Sequence, residues 1–197
     1  MDDSFTKNTL LLLDLPEQLE SERIYLRVYQ QGEGEEFYDI LQNNREHLKD
    51  VVSEVKTIKN VKEAEIRNRQ LYANWVSRIR FVLPIREKRS DAMIGEIWIE
   101  PIDKDLEVYE LGYFIIKSKE GQGYVTEAAQ LALKFIFHQL HASKVEIRTD
   151  ETNERSYKVA ERLGFTREGL LRNRAKTNDE IMGRLYYGLL SSEFESQ

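Results

Sequence analysis

The sequence predicts one α/β domain with a mixed, mostly antiparallel sheet of about seven strands and helices on both faces of the sheet. Two observations carry this prediction. Segments in which apolar residues alternate with polar ones, as in half-buried strands, are interleaved with longer segments in which apolar residues recur at helical spacing. The chain of 197 residues is also long enough for one large domain and leaves little room for two domains with separate cores.

Composition excludes several classes of protein. With 41% hydrophobic and 32% charged residues, the chain can build a packed interior beneath a charged surface, so overall disorder is ruled out. The absence of cysteine excludes a disulfide scaffold, a thiolate zinc site and a cysteine nucleophile, and it fits a cytoplasmic location. A net charge of −6 argues against nucleic acid as a partner and favours an amine-bearing one. No apolar stretch approaches the ~20 residues of a membrane-spanning helix, so no membrane association is expected.

The first half of the chain is expected to form a strand, two helices and three further strands. Residues 23–28 alternate as a strand, and apolar spacing then predicts one helix over 37–48 and a longer one over 61–79. Strands at 80–85, 92–102 and 108–116 are joined by short polar turns, which predicts an antiparallel meander.

The ends of the chain are assigned to the same domain, which is predicted to comprise residues 1–197. Residues 1–19, which include a run of leucines, are expected to be an extension packed on that domain, with contact to a partner as the alternative.

After residue 116 the pattern changes. A polar loop over 117–123 contains two glycines and leads into a predicted helix over 126–140. A strand over 145–149, a helix over 153–163 closed by Gly164, and strands over 165–171 and 182–190 follow. Because a helix connects them, the strands at 108–116 and 145–149 can be parallel.

The two glycines of the 117–123 loop indicate an anion-binding site. Gly121 and Gly123 allow the backbone to bend tightly at the start of a helix, where unpaired amides and the helix dipole favour a phosphate or pyrophosphate. A purely structural turn would use the same residues. The loop lacks the lysine of a Walker A motif and the third glycine of a dinucleotide fingerprint, which excludes nucleotide hydrolysis and nicotinamide binding.

Three separated motifs give the sequence a family likeness. They are ERIYLR at 22–27, ELGY at 110–113 with GQGYVTEA at 121–128, and NERS at 153–156 with AERLGF at 160–165. In this order and spacing they resemble the GNAT superfamily of acetyl-CoA-dependent N-acetyltransferases, in particular its Rim-type branch of ribosomal-protein and related amine acetyltransferases. The resemblance extends from about residue 20 to 190, and the three motifs together are far more specific than any one alone.

The resemblance implies a GNAT fold in which the two central strands splay apart after a bulge and hold acetyl-CoA as the cosubstrate. The residues that it assigns to coenzyme binding are Phe114, Ile115, Ile116, Gly121, Gln122, Gly123, Tyr124, Val125, Thr126, Asn153 and Ser156. Main-chain groups around Phe114 would pair with the pantetheine arm as if it were another strand. Asn153 would hold the pantetheine or the splayed strand, with a simple helix cap as the alternative.

Two residues are expected to carry the chemistry. Glu110 is the leading candidate for taking a proton from the amine, directly or through water, with Glu96 and Glu100 as rival carboxylates. Its alternative role is that of a solvated residue on an alternating strand. Ser156 is expected near the thioester sulfur, where its hydroxyl would donate a hydrogen bond or proton to the departing thiolate; an ordinary helix residue is the alternative.

The sequence departs from the family pattern in the coenzyme loop and near the chain turn at 163–165. Glu120 stands where Gln or Arg is usual, and a carboxylate beside a pyrophosphate is repulsive. Either Glu120 points to solvent, with a neighbouring lysine offsetting it, or coenzyme affinity is reduced. Val125 replaces a usual Ala or Gly, and the tyrosine general acid common before the 163–165 turn is lacking.

The resulting hypothesis is a cytoplasmic N-acetyltransferase that transfers acetyl from acetyl-CoA to a primary amine, with a protein N-terminal amine of the ribosomal-protein type as the favoured acceptor. The alternatives are a small-molecule amine, such as a polyamine or an antibiotic, and a coenzyme A-binding regulatory module without transfer activity. No metal is expected, because His138 and His141 share a predicted helix face without further recognised ligands. Exposed apolar strand edges make a homodimer one expected assembly.

Overall fold

The computed structural model of the chain describes residues 10–177 and 180–196. Its strands are β1 (Gln18–Glu20), β2 (Ile24–Arg27), β3 (Phe81–Glu87), β4 (Met93–Asp103), β5 (Val108–Ile115), β6 (Lys144–Asp150), β7 (Thr166–Thr177) and β8 (Glu180–Leu190). Its helices are α1 (Gly34–Asn43), α2 (Arg45–Leu48), α3 (Glu54–Thr57), α4 (Val61–Val76), α5 (Tyr124–His138), α6 (Glu154–Arg162) and α7 (Ser191–Phe194). The described strands form one sheet in the order β1-β2-β3-β4-β5-β6-β8-β7, in which only the β5–β6 pair is parallel.

The predicted mixed α/β sheet and its antiparallel meander are confirmed, and the sheet has one strand more than expected. The additional strand, β1, lies in the predicted N-terminal extension and pairs with β2. Three residues are too few for a period-2 pattern to stand out in the sequence. Leu15 is buried, and Leu10 and Leu13 pack on the same core, whereas residues 1–9 lie outside the described residues.

The helical segment before β3 is more broken than its apolar spacing predicted. The single helix expected over 37–48 is two helices, because Asn44 leaves helical geometry with a φ of −120° and its side-chain amide donates to the Ile40 carbonyl at 3.0 Å. The longer helix stops at Val76 instead of continuing to residue 79. Arg78 has a φ of +57°, and its guanidinium donates to the carbonyls of Trp75 and Leu13 at 2.9 and 2.8 Å.

Element boundaries also differ in the second half. The hairpin strands β7 and β8 extend beyond their predicted limits, with register shifts at Arg167/Gly169 and Leu171/Ala175. The helix expected over 126–140 ends at His138, and His141 lies beyond it with a φ of +55°. The two histidines therefore do not share a helix face, contrary to the expectation. Gly164 has a φ of +82°, which confirms the left-handed cap of α6.

Helices cover both faces of the sheet, as predicted. On one face α5 packs against apolar strand residues that include Leu111 and Ile115, and on the other α1 to α4 pack against residues that include Val82 and Phe114. Because side chains alternate along a strand, even-numbered residues of β5 from Glu110 to Phe114 lie on the α1–α4 face and odd-numbered ones on the α5 face.

The two central strands, β5 and β6, separate after a short paired stretch. They pair in parallel through Val108↔Lys144, Tyr109↔Val145 and Glu110↔Glu146. Farther along, β5 continues in register with β4 and β6 continues in register with β8. Residues 111–115 of β5 and 147–149 of β6 therefore have no strand partner on their facing sides among the described residues. This opening, called the cleft below, confirms the predicted splay.

The bulge expected at the splay is wrong. The register between β4 and β5 is regular from Tyr109 to Ile115, and the nearest shift, at Pro101/Asp103, lies at the opposite end of β5. Each strand stays in register with its outer neighbour, so the two halves of the sheet diverge without an inserted residue.

Candidate active site

The loop between β5 and α5 ends in two glycines with left-handed backbone geometry. Gly121 has a φ of +71° and Gly123, the N-cap of α5, a φ of +81°. A Cβ added at Gly121 would meet nothing within 4 Å, and one at Gly123 would meet only Arg23 Nη2 at 3.5 Å. Backbone conformation, and not crowding, is therefore the reason for glycine at both positions.

The backbone amides of residues 121–126 form the start of α5. They donate to no backbone acceptor in the part of the chain that the structure describes, and no side chain caps this helix. The first amides of a helix have no intrahelical partner, and the dipole of this 15-residue helix adds a partial positive charge there. The arrangement suits an anion such as a phosphate or pyrophosphate.

Arg23, which directly precedes β2, contacts this loop and the first turn of α5. Its Nη1 donates to the Gln122 carbonyl at 3.0 Å, its Nε donates to Glu127 Oε2 at 2.7 Å, and its guanidinium lies 4.5 Å from the centroid of the Tyr124 ring. In the sequence, Arg23 and Glu127 stand out only as members of two separate motifs. No local pattern could reveal their contact, because they are 104 residues apart.

Glu87 holds the loop from the other side. Tyr124 Oη and Lys119 Nζ both donate to Glu87 Oε1 at 2.7 Å, and Ser90 Oγ donates to Oε2 at 2.8 Å. These hydrogen bonds, from Lys119 first, lower the pKa of the Glu87 carboxyl to about 2. The carboxylate therefore remains ionised at neutral pH and keeps Lys119 engaged.

Glu120, the unusual residue of the loop, is paired across the cleft entrance. It forms an ion pair with Arg155 of α6, and its Oε1 lies 3.7 Å from Nε2 of His47 on α2. Of the two alternatives for Glu120, the one with Lys119 as the offsetting residue is not observed, because Arg155 binds Glu120 and Lys119 binds Glu87. Reduced coenzyme affinity stays a prediction. The loop, α2 and α6 thus meet at this carboxylate.

Main-chain groups of β5 divide between β4 and the cleft. The Ile116 amide donates to the Ile94 carbonyl at 2.8 Å, so it faces β4. By strand alternation the main-chain groups of Phe114 also face β4, whereas those of Tyr113 and Ile115 face the cleft. The Ile115 carbonyl accepts a hydrogen bond from His47 Nε2 at 3.0 Å; a carbonyl can only accept, so this nitrogen carries the hydrogen.

The N-terminus of α6 lies against the cleft through Ser156. Asn153 caps α6, and its Oδ1 accepts from the Ser156 amide at 3.2 Å. Tyr113 Oη donates to the Ser156 carbonyl at 3.1 Å and lies 3.2 Å from Ser156 Oγ. Burial raises the pKa of Tyr113 to about 12. The cap geometry predicted as the alternative for Asn153 is present, and its contact with coenzyme stays a prediction.

Glu110 lies at the last paired position before the cleft, in a row of three carboxylates. Glu100 of β4, Glu110 of β5 and Glu146 of β6 are cross-strand neighbours. Arg148 lies between the last two, with Nη1 at 3.2 Å from Glu110 and Nη2 donating to Glu146 at 2.9 Å. Burial raises the pKa of the Glu110 carboxyl above its ordinary value, and Arg148 opposes this shift.

The two rival carboxylates have different surroundings. Glu96 is 3% exposed and is held by Arg67, which donates to both its oxygens at 2.8 Å, and by Tyr29 Oη. It belongs to the core beneath α4. Glu100 is half exposed, and Arg80 Nε lies 3.9 Å from it. Of the three candidates, only Glu110 is both half-buried and next to the cleft.

Trp98 lies across Gly112 on the α1–α4 face, beside Glu110. A Cβ at Gly112 would overlap the indole ring. The cross-strand pair Trp98↔Gly112 therefore places an aromatic surface at the cleft that no larger residue at 112 would allow.

Gly112→Ala is expected to lower the melting temperature by about 2–12 °C, because overpacking costs roughly 1–3 kcal/mol and each kcal/mol shifts a domain of this size by about 2–4 °C. Thermal unfolding followed by circular dichroism measures the shift. Gly169→Ala is the matched control, since a Cβ at Gly169 meets nothing within 4 Å. Equal melting temperatures for the two variants would contradict the role assigned to Gly112.

A groove of about 1060 Å³ lies elsewhere, beside α1, with Glu36, Asp39, Arg86 and Lys117 among its lining residues. It adjoins the Ile116 end of β5. Along the strand this end is about 20 Å from Glu110, at about 3.3 Å per residue. The groove therefore lies beside the start of the 117–123 loop and away from the carboxylate row.

The structure brings the predicted site residues together along the cleft, on two faces of the sheet. Ser156 and the loop residues lie on the α5 face, and Glu110 lies on the α1–α4 face. The side chain of Phe114 is buried in the α1–α4 core, Val125 packs on the α5 core, and Thr126 Oγ1 accepts from Arg162 at 3.1 Å. Within residues 10–177 and 180–196 there is no cluster of three acidic, histidine or cysteine side chains that could hold a metal ion and no helix able to span a membrane.

Comparison with known proteins agrees with this geometry. A family model described as "Acetyltransferase (GNAT) domain" matches residues 23–166. The curated protein "Putative ribosomal N-acetyltransferase YdaF" of Bacillus subtilis is 33% identical over 106 residues, which cover 54% of this chain and 58% of that protein. The match thus spans little more than half the length of that relative.

Solved structures share the fold at low sequence identity. The structure titled "RimL- Ribosomal L7/L12 alpha-N-protein acetyltransferase in complex with Coenzyme A" superposes with a TM-score of 0.81 at 17% identity, covering 91% of this chain and 98% of that one. RimJ of Mycobacterium smegmatis, in complex with CoA-disulfide, gives a TM-score of 0.81 at 19% identity, covering 90% and 89%. With a family model matching most of its length, the chain belongs to the GNAT acetyltransferase domain family.

Proposed function

We propose that this protein is an acetyl-CoA-dependent N-acetyltransferase that transfers the acetyl group to a primary amine by direct attack. The observation that carries the proposal is the position of the unpaired amides of residues 121–126 at the mouth of the cleft. Coenzyme A needs an anion site for its pyrophosphate and an extended channel for its pantetheine arm, and the two features adjoin here. The open space around Gly121 fits a bound phosphate group.

The facing main-chain groups of β5 would hold the pantetheine arm. In this proposal the groups of Tyr113 and Ile115 pair with it, since they face the cleft. The Ile115 carbonyl is shared with His47, so the arm would approach alongside this histidine. Asn153 supports the same wall by capping α6, where a cap is worth about 1 kcal/mol.

Glu110 and Ser156 would divide the chemistry between the two faces of the sheet. A protonated amine cannot attack a thioester, so a base must first take a proton, and Glu110 is a half-buried carboxylate at the edge of the cleft. Its raised pKa brings it closer to that of an amine. On the α5 face, Ser156 would donate a hydrogen bond to the sulfur as negative charge develops on it.

A protein N-terminal amine is the acceptor that we propose. One relative is named a putative ribosomal N-acetyltransferase, and one similar structure is named a ribosomal L7/L12 alpha-N-protein acetyltransferase. An α-amine has a pKa of about 8, against about 10.4 for a lysine side chain. The pKa difference between the amine and a carboxylate base is therefore smaller for an α-amine, and the proton transfer is easier.

The test is an acetyl-CoA turnover assay over a panel of amines. Peptides with free N-termini, the same peptides with blocked N-termini, spermidine and an aminoglycoside are compared by thiol release, and mass spectrometry locates the acetyl group. We expect turnover with free N-termini and none with blocked ones. Turnover with the small amines alone would show that the acceptor is a small molecule and not a protein N-terminus. Coenzyme binding without thiol release for any amine would show that the protein binds the coenzyme without transferring the acetyl group.

A further inference from the structure

Tyr113 makes a direct link between the splayed strand and the helix that carries Ser156. Its hydroxyl reaches two atoms of Ser156, the carbonyl oxygen at 3.1 Å and Oγ at 3.2 Å. The neighbouring residues of β5, Gly112 and Phe114, lie on the opposite face of the sheet, so Tyr113 supplies this contact from the cleft edge. The two residues are 43 positions apart, and their contact joins β5 to α6.

We propose that Tyr113 is a positioning residue, whose hydroxyl directs the hydrogen of the Ser156 hydroxyl toward the thioester sulfur. The inference rests on the proposed role of Ser156 and names the residue through which that role operates. A serine hydroxyl rotates freely and has one hydrogen to give. Without a fixed partner, that hydrogen would point at the sulfur only part of the time.

The geometry allows two hydrogen-bond arrangements with no movement of heavy atoms. In one, Tyr113 donates to the Ser156 carbonyl and can accept from Ser156 Oγ. In the other, Tyr113 donates to Ser156 Oγ, which leaves the serine hydrogen free to bond the sulfur. Negative charge on the sulfur favours the second arrangement, because hydrogen bonds to charged groups are roughly twice as strong as neutral ones.

Burial suits Tyr113 to this role. Because burial raises the pKa of Tyr113 to about 12, the phenol keeps its hydrogen at every pH at which an acetyltransferase would operate. A thiol has a pKa of about 8.5, so the tyrosine does not transfer its proton to the departing sulfur. Tyr113 acts as a hydrogen-bond donor throughout and keeps its proton during the reaction.

The step balances without a further reactant. The amine nitrogen forms a bond to the acetyl carbon, the carbon–sulfur bond breaks, and its electron pair leaves with the sulfur as a thiolate. The proton of the amine goes to Glu110 or to water. Ser156 stabilises the thiolate by a hydrogen bond, and Tyr113 orients Ser156.

The experiment is a double-mutant cycle with Tyr113→Phe, Ser156→Ala and the two combined. We expect Ser156→Ala to lower kcat about 20-fold and Tyr113→Phe about tenfold, each with the KM for acetyl-CoA changed less than about twofold. The double variant should match Ser156→Ala, because Tyr113 acts only through that serine. Tyr187→Phe is the matched control, since Tyr187 also donates to α6, at Glu161 Oε1 and 3.1 Å, away from Ser156; its kcat should be unchanged.

The outcomes separate this inference from the proposed function. If the losses multiply in the double variant, or if Tyr113→Phe raises KM and leaves kcat alone, Tyr113 is a structural residue and the inference is overturned. If Ser156→Ala itself keeps full kcat, the proposed role of the serine fails, whatever Tyr113 does. Tyr113→Leu repeats the test with a side chain that cannot stack as phenylalanine does, and melting temperatures verify that every variant is folded.

Discussion

Gly123→Val is expected to weaken coenzyme A binding by more than tenfold. Gly123 has a φ of +81°, and a left-handed conformation costs an L-residue roughly 1–2 kcal/mol, with β-branched side chains disfavoured most. The chain would relieve this strain by turning the first peptide units of α5. Those units carry the amides of residues 121–126, so the proposed pyrophosphate site would lose its alignment.

Isothermal titration with coenzyme A measures the change in affinity. Gly169→Val is the matched control, because Gly169 lies in β7, where valine is favoured, and a Cβ there meets nothing within 4 Å. The control should bind coenzyme A as the unmodified protein does. Unchanged affinity in a folded Gly123→Val protein would remove the α5 N-terminus as the pyrophosphate site.

The part of this site that local sequence could predict is the part that depends on backbone conformation. Glycines at 121 and 123 between a strand pattern and a helix pattern indicate a tight left-handed turn, and both have positive φ. The alternation in β5 likewise assigns Glu110 to one face and Leu111 to the other. These features follow from a few neighbouring residues, and the structure has them where they were expected.

The contacts that fasten the site could not be predicted, because each joins residues far apart in the chain. Arg23 meets Glu127 across 104 residues, His47 meets Ile115 across 68, and Tyr113 meets Ser156 across 43. Periodicity tells which face a side chain occupies and says nothing about its partner. Repulsion between Glu120 and a bound pyrophosphate could be foreseen, but its pairing with Arg155 could not.

The predicted helix boundaries were wrong where a single polar residue interrupts the periodic apolar pattern. Asn44 bonds its own helix backbone and divides the predicted helix, and Arg78 adopts a positive φ to reach two carbonyls. Strand β1 was missed for a different reason. Its three residues pair with β2 by main-chain hydrogen bonds that need no particular side-chain pattern.

The two faces of the sheet carry different polar side chains beside the cleft. Ser156 and Tyr113 lie on the α5 face with neutral hydroxyl groups. On the α1–α4 face, the row of Glu100, Glu110 and Glu146 is paired with basic side chains, which are those of Arg80, Arg148 and Lys144. Glu110 shares Arg148 with Glu146, so the row attracts a cation less strongly than three unpaired carboxylates would.

Glu110→Gln is expected to lower kcat/KM about 100-fold near pH 7 and much less in alkaline buffer. Only the ionised carboxylate can accept a proton, and burial raises the pKa of Glu110 above its ordinary value of 4.5. The activity of the unmodified protein should therefore fall as the pH drops through that raised pKa. A general base typically contributes about 10²–10⁴-fold, and the lower bound is used here because Arg148 opposes the shift.

The pH profile of the variant distinguishes a base from a positioning group. An α-amine with a pKa of about 8 is roughly 10% neutral at pH 7 and roughly 90% neutral at pH 9, so the neutral fraction rises about ninefold over this range. The deficit of Glu110→Gln should shrink accordingly to about tenfold. Glu100→Gln is the comparison, because Glu100 is the cross-strand neighbour on the same face and is half exposed. An equal fractional loss at every pH would assign Glu110 to positioning, and a pH-dependent loss in Glu100→Gln instead would move the base to β4.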